Sequence, residues 1–251
     1  VVLAAGTYML TPLQLGGSLE IERVPGSLRE MLSSYGVEVG TELVMDPQNE
    51  ALPVRLQRLV GGLAIDDIQR LSYPFFVDIR RDGMAEDSHI AANLPALTLH
   101  WASTVTLDPE KNVDREAVTF LHSSADSWLR SSIDTQMDLE AYPELGFPVE
   151  GEQASRPLAV SIRGSFDSFF ADRPSPFQAM ESEAAEGGEQ AERPRPRATI
   201  ASSPDTSRLV VIGSSEFVDT AVLDLSRFLS ADRYLLNLQL LENAVDWTVA
   251  D

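Results

Sequence analysis

The sequence predicts an α/β domain with a mostly parallel β-sheet, and three segments support this class. A helix-like stretch at 27–36 precedes short strand-like runs at 37–39 and 42–47, an alternation typical of α/β proteins. The run at 208–213 is β-branched and nearly unbroken, as expected of a central parallel strand buried on both faces. Apolar residues between 235 and 247 form a stripe broad enough to pack as a helix on that sheet.

The first helix has start and stop signals of its own. Ser27 and Glu30 have the spacing of an S-x-x-E capping box, which places the helix N-terminus at Ser27. Gly36 supplies the left-handed residue that ends many helices. Pro47 then closes the second short strand, because proline cannot donate to a sheet.

The remaining strands are predicted at 75–79, 97–101, 118–122 and 158–163. Between 172 and 207 an acidic, small-residue segment is followed by alternating arginine and proline. Such composition buries too little apolar area to offset the ordering of its backbone. The sequence therefore predicts one α/β domain over 1–251, with a mobile surface loop at 172–207. Because the chain opens on a strand-like run without an initiator Met, we expect it to be part of a longer protein.

The charge balance narrows the range of partners. Asp and Glu number 39 against 19 Lys and Arg, a net charge of −20. Nucleic acids and anionic lipid surfaces require basic faces, so neither is expected as a partner. Cationic partners remain open beside a simple role of the charge in solubility. The chain has no Cys, and no apolar run of about 18 residues that could span a bilayer.

The sequence does not match the common motifs for catalysis or for cofactor binding. The segment that begins at Gly213 places Phe217 where the serine nucleophile elbow requires glycine, so Ser214 or Ser215 is interpreted as the N-cap of a helix. Neither glycine-rich phosphate-binding motif occurs, and we expect no cofactor. The histidines lack metal-ligand spacing, and no metal is expected; His100 and His122 could still be neighbours across a sheet.

Six segments carry a resemblance to a known family, and in chain order they begin at Ser34-Tyr35-Gly36-Val37, Leu43-Val44-Met45-Asp46, Tyr73-Pro74, Asn93-Leu94-Pro95, Arg208-Leu209-Val210 and Asn243-Ala244-Val245-Asp246-Trp247. Taken in this order, they resemble the auxiliary component of ABC-type transport systems associated with gliding motility.

The resemblance implies a flavodoxin-like or glutamine-amidotransferase-like fold, with helices on both faces of a mostly parallel sheet that is truncated at the N-terminus. It also implies an extracytoplasmic domain at a bacterial inner membrane, anchored by transmembrane helices outside this chain. The implied partners are an ABC permease and its ATPase. Gly213-Ser214-Ser215 stands where the family usually has Gly-Asp-Ser, and no catalytic residues are carried over.

Parallel sheets open their ligand crevices at the carboxyl ends of strands. The turns after Ala5, Met45 and Ile212 therefore predict a non-catalytic site that binds a peptide or a glycan. Its candidate residues are Gly6, Thr7, Asp46, Gln48, Asn49, Ser214, Ser215 and Glu216. Two alternatives remain open: a glycan-acting hydrolase that uses paired carboxylates such as Asp66-Asp67 or Glu86-Asp87, and a structural spacer without a ligand.

Overall fold

A computed structural model describes residues 1–11, 19–24, 26–60, 63–171, 173, 200–220, 222 and 231–250. The described part of the chain contains the helices α1 (Ser27–Ser34) and α2 (Ala231–Val249). Its strands are β1 Val2–Ala4, β2 Tyr8–Leu10, β3 Ile21–Arg23, β4 Val37–Val39, β5 Leu43–Met45, β6 Leu52–Val60, β7 Leu63–Leu71, β8 Phe76–Arg80, β9 Ala96–His100, β10 Val105–Leu107, β11 Glu116–His122, β12 Trp128–Arg130, β13 Pro157–Arg163 and β14 Arg208–Ile212.

The central sheet has the strand order β1–β14–β13–β11. β1 and β14 are parallel, whereas β13 runs antiparallel to both β14 and β11. The other strands form two-stranded antiparallel pairs. The predicted α/β fold, a mostly parallel flavodoxin-like or glutamine-amidotransferase-like sheet with helices on both faces, is therefore wrong. Each additional parallel strand would need a long crossover, usually helical, whereas the described strands between β1 and β13 all pair antiparallel.

The two faces of the central sheet are covered by different elements. Val210 and Ile212 pack with α2 residues on one face. Leu209 and Val211 pack on the other face with Leu32 of α1 and with the β4–β10 pair. The prediction that β14 is central and buried on both faces is confirmed, although only one of its two neighbours is parallel. Each such buried aliphatic side chain contributes about 1.5–3 kcal/mol to folding.

α1 ends as the sequence predicts but begins differently. Gly36 has φ of +83°, and a Cβ there would lie 2.5 Å from the Asn112 side-chain nitrogen. At the other end the N-cap is Gly26, and no side-chain hydrogen bond caps the helix. Ser27 is the first helical residue, so the predicted capping box with Glu30 is wrong.

A second core lies away from the sheet and is rich in aromatic residues. The rings of Tyr73 and Phe76 are 4.8 Å apart, and those of Phe75 and Phe147 are 5.0 Å apart, both edge to face. Trp101 is fully buried in the same cluster with φ of +45°, a conformation that is strained for a bulky side chain. Its backbone N–H donates to the Phe75 carbonyl at 2.9 Å. The aromatic residues around Pro74 are thus core residues.

β6 and β7 form a long antiparallel hairpin that the sequence analysis does not predict. Leu52 pairs with Leu71 at its base, and the pairing continues to Val60 opposite Leu63. Leu52 is buried against the aromatic core, whereas Ile68 is largely exposed. The hairpin is therefore fixed at its base.

Most of the predicted mobile loop at 172–207 lies outside the described residues. Residues 200–207 are described, and Ala201 and Ser203 bond to the backbone of the segment that follows β13. None of the helices in the described part is long and apolar enough to cross a membrane.

Candidate functional site

The structure brings together five of the eight predicted site residues where β1 and β14 end. We call them the strand-edge cluster: Gly6, Thr7, Ser214, Ser215 and Glu216. The Ser215 hydroxyl donates to the Gly6 carbonyl at 3.1 Å, and the Ser214 hydroxyl donates to the His100 carbonyl at 2.6 Å. The Thr7 hydroxyl donates to the Gly40 carbonyl at 2.6 Å. Every hydroxyl of the cluster therefore donates to a backbone carbonyl of the chain itself.

Close backbone packing leaves little space at this edge. A Cβ on Gly6 would lie 2.5 Å from the backbone nitrogen of Ser215. At Gly213 an added Cβ would overlap the Ser103 carbonyl oxygen and lie 3.0 Å from that of Leu158. Only glycine fits at these two positions. The parallel pair is thus packed against its neighbours at the edge where an open sheet would leave a crevice.

Glu216 is the acidic member of the strand-edge cluster. Its backbone N–H donates to the Ser214 hydroxyl at 3.3 Å, and the residue is almost fully buried. Burial raises the pKa of its carboxyl group above the usual range, and the nearby Asp219 adds to this effect. Because the Ser214 hydroxyl donates to one carbonyl and accepts from this amide, it is not placed as a nucleophile beside a base.

The other three predicted residues form a separate group, the Asp46 cluster of Asp46, Gln48 and Asn49. The Asp46 carboxylate accepts bonds from the Ser124 N–H at 2.8 Å, the Ser124 hydroxyl at 2.7 Å and the Gln48 N–H at 2.8 Å. Burial nevertheless raises the pKa of Asp46, and the bonds from Ser124 oppose that rise. Asn49 accepts from the Tyr73 N–H at 2.8 Å. Within the described chain, no direct hydrogen bond joins this cluster to the strand-edge cluster.

A cleft of about 250 Å³ adjoins the Asp46 cluster, and we call it the Ser123 cleft. Its walls are polar and include Gln48, His122, Ser124 and Asp82. Partial burial lowers the pKa of His122, which favours the neutral ring. The Ser124 hydroxyl is engaged with Asp46, so the cleft offers few free donors.

A larger cleft lies beside α2, at the opposite end of β14. Two adjoining hollows of about 520 Å³ and 360 Å³ share three lining residues. We call them together the α2 cleft; the residues that line it include Glu86, Asp87, Glu116, Val118, Ser161, Arg163, Arg208, Asn243, Asp246 and Trp247.

The charged side chains around the α2 cleft differ in whether they form close hydrogen bonds within the chain. Arg208 donates to the carbonyls of Trp247 at 2.6 Å and Ala250 at 2.5 Å, and so caps the C-terminus of α2. Arg163 and Glu116 are 3.9 Å apart, too far for a hydrogen bond, and the Glu116 side chain is 71% exposed. A loose, exposed pair of this kind contributes little to stability.

Sequence reasoning missed the α2 cleft, because strand pairing assembles it from distant segments. One row across β11, β13 and β14 contains Glu116, Arg163 and Arg208. The predicted bounds of the strands do not reveal this row, because it depends on the register between the strands. One signal was available: Asn243, Asp246 and Trp247 lie three and four residues apart, a spacing that places them on one helical face.

A pair of buried carboxylates lies between β8 and α2. Asp78 is 3% exposed and contacts Arg80 at 3.0 Å and Arg233 at 2.7 Å. Glu50 is 8% exposed, and neither of its carboxylate oxygens has a hydrogen-bond partner within the described residues. Burial raises the pKa of Glu50; Thr98 and Arg233 oppose this, and Asp78 adds to it.

The histidines do not assemble a metal centre. His100 lies in β9 and His122 in β11, which belong to different sheets, so the suggestion that they are neighbours across a sheet is wrong. Complete burial lowers the pKa of His100 to about 3. Among the described residues, no group of three His, Cys, Asp or Glu side chains is close enough to hold a metal ion.

These features define a domain built mostly of small antiparallel sheets, with a tightly packed strand edge and an open, charged cleft beside α2. The model of the family described as "ABC-type uncharacterized transport system" matches residues 7–246. The chain belongs to this family and is thereby an auxiliary component of an ABC transport system. Neither the search of curated proteins nor the search of solved structures gives a significant match.

Proposed function

We propose that this chain is a non-catalytic binding or scaffolding domain of the auxiliary component, on the extracytoplasmic face of a bacterial inner membrane. One observation carries this proposal. The hydroxyl groups of the strand-edge cluster all donate to carbonyls of the chain, whereas the α2 cleft is open and its Glu116–Arg163 pair is loose and exposed. The first arrangement suits a structural role, and the second suits recognition.

The proposed partners are an ABC permease and its ATPase, with a membrane anchor in segments outside this chain. We further propose a peptide or glycan as the ligand held for that system, and the association with gliding motility belongs to the same proposal. Family membership supports the transport context.

A glycan-acting hydrolase is the second candidate, because Glu50 and Asp78 form a buried carboxylate pair. A carboxyl group with a raised pKa is what a general acid needs. However, glycosidase carboxylates flank the scissile bond, and neither Glu50 nor Asp78 lines the Ser123 cleft or the α2 cleft. Asp66-Asp67 lies within β7 of the hairpin, and Glu86-Asp87 lines the α2 cleft. A ligand-free spacer is the third candidate.

The test is co-purification of the full-length, membrane-embedded protein followed by mass spectrometry, with a parallel assay of hydrolysis on cell-wall glycans. We expect recovery of a permease and its ATPase, and no hydrolysis. Glycan hydrolysis that disappears in Glu50→Gln but persists in the matched exposed variant Glu140→Gln would replace the proposal with the hydrolase. Recovery of the protein alone, without hydrolysis, would favour the spacer.

A further inference from the structure

β11 is an edge strand of the central sheet and is only partly covered along its outer side. It pairs with β13 on its inner side. On the outer side, the Ala85 N–H donates to the Phe120 carbonyl, and Met84 bridges Leu121. From 116 to 119, the outward backbone groups have no hydrogen-bond partner in the described chain. An uncovered edge is a template for one more strand.

This free edge borders the α2 cleft. Val118 and Ser161 are opposite each other on β11 and β13, and both line the cleft. Val118 is an apolar side chain that is 41% exposed. A strand added to β11 would direct alternate side chains toward the cleft, because side chains of a strand alternate between the two faces of the sheet. The cleft therefore offers both backbone and side-chain contacts to such a strand.

The charge around the edge selects the partner. Four acidic side chains are exposed at the cleft: Glu86, Asp87, Glu116 and Asp246. Within the described chain, only Glu116 among them has an ion-pair partner, and its pair with Arg163 is loose. Arg208 is already committed to the end of α2. A second copy of this chain, which has a net charge of −20, would bring like charges together. A basic segment would gain attraction instead.

We propose that β11 accepts a basic, extended peptide segment by strand addition, with its cationic side chains near Glu86, Asp87 and Glu116. An apolar side chain of the segment would cover Val118. Backbone hydrogen bonds would supply affinity, and the acidic rim would supply selectivity. This inference rests on the proposed binding function and names the chemistry of the partner.

The first test uses a fluorescein-labelled peptide of alternating lysine and valine and measures fluorescence anisotropy against the intact chain. A control peptide has the same sequence and charge, with alternate backbone nitrogens methylated so that it cannot pair with a strand. We expect binding of the control to be at least about tenfold weaker. We also expect hydrogen exchange at the amides of 117–119 to slow only with the unmethylated peptide. Equal binding of both peptides would overturn the proposal, since charge alone would then explain it.

The second test uses the double variant Glu86→Lys with Asp87→Lys, on an exposed loop. Its matched control is Glu140→Lys with Glu144→Lys, which changes the net charge equally but does not line the α2 cleft. We expect the first variant to weaken lysine–valine binding by about tenfold or more and the control by less than about threefold. Equal losses would overturn the site. A dimer detected by sedimentation would also overturn the site if hydrogen exchange at 117–119 were slowed in that dimer without any peptide.

The two proposals can fail separately. If the full-length protein recovers a permease and an ATPase while the lysine–valine peptide does not bind, strand addition at β11 is wrong and the auxiliary binding role stands. If the protein is recovered alone and hydrolyses glycans, the proposed function is wrong whatever the peptide result.

Discussion

The strand-edge cluster and the α2 cleft lie at the two ends of β14, and they use polar groups in opposite ways. At the carboxyl end, serine and threonine hydroxyls are buried or partly buried and donate to the chain's own carbonyls. At the amino end, Arg208 begins the strand and borders an open cleft with exposed acidic side chains. The difference teaches that a crevice at the carboxyl end depends on several parallel strands, whereas this sheet has one parallel pair.

The largest expected effect on stability is at the strand-edge cluster, which is the closed, carboxyl end of β14; the α2 cleft is its open end. Gly213→Ala would drive a methyl group into the Ser103 carbonyl, and backbone atoms cannot yield as a flexible side chain can. We expect a loss of about 3 kcal/mol or more in the free energy of unfolding, measured by urea denaturation. Its counterpart at the open end is Ser161→Ala in the α2 cleft, which we expect to cost about 1 kcal/mol or less. Similar losses in the two variants would remove the contrast.

The Asp46 cluster should be the next most sensitive. Asp46→Ala removes the acceptor for three hydrogen bonds and leaves the Ser124 and Gln48 amides without it. We expect a loss of about 2–3 kcal/mol, together with faster hydrogen exchange at Ser124. Asp126→Ala, which changes an exposed acid on the loop that carries Ser124, is the control and should change stability by less than about 0.5 kcal/mol. Unchanged exchange at Ser124 in Asp46→Ala would contradict the anchoring role of Asp46.

Acid should destabilise the closed end through His100, whose carbonyl accepts from Ser214. The pKa of its buried ring is lowered from 6.5 to about 3, so the unfolded chain binds a proton that the folded chain does not. Stability therefore falls as the pH drops from 6.5 toward 3. At pH 5 the expected loss from this residue is about 2 kcal/mol.

The measurement is urea denaturation at pH 7.5 and pH 5 for the wild type and for His100→Leu. The difference between the two pH values should shrink by about 2 kcal/mol in the variant, whatever its absolute stability. His122→Gln is the control for a half-buried ring, and its effect should be smaller. An unchanged pH dependence in His100→Leu would show that His100 is not the acid-sensitive group.

The smallest expected effect on stability is at the open end. Glu116→Gln removes a charge whose pairing with Arg163 is loose and exposed, so the free energy of unfolding should change by less than about 0.5 kcal/mol. Its effect should appear in binding of the lysine–valine peptide, which we expect to weaken. A large loss of stability would mean that the Glu116–Arg163 pair is structural and that the cleft is less available than proposed.

Much of the secondary structure could be predicted from the sequence, because local patterns determine it. The alternating and β-branched runs that predicted β4, β5, β8, β9, β11, β13 and β14 are confirmed as strands, as is the helical stripe of α2. Leu240 and Ala244 pack into the core as predicted, although Leu235 and Val245 are exposed. Strand direction was not predictable, because the same buried run suits a parallel or an antiparallel neighbour.

The candidate site was predictable only in part for the same reason. The turns after β1 and β14 are brought together because these two strands are parallel neighbours, as assumed. The turn after β5 is elsewhere, because β5 pairs with β12 and not with the central sheet. The row of Glu116, Arg163 and Arg208 requires knowledge of the register between three strands, which no single segment contains.

The parallel pair of β1 and β14 also bears on how the chain reaches its folded state. The Ala5 N–H donates to the Ile212 carbonyl at 2.8 Å, although the two residues lie 207 positions apart in the chain. Each doubling of such a loop adds only about 0.6 kcal/mol of closure entropy, so the equilibrium cost is modest. The cost in time is larger, because contacts between distant residues slow folding. During synthesis β1 has no partner until β14 has emerged, so we expect the antiparallel β11–β13 pair to form first and β1 to dock last.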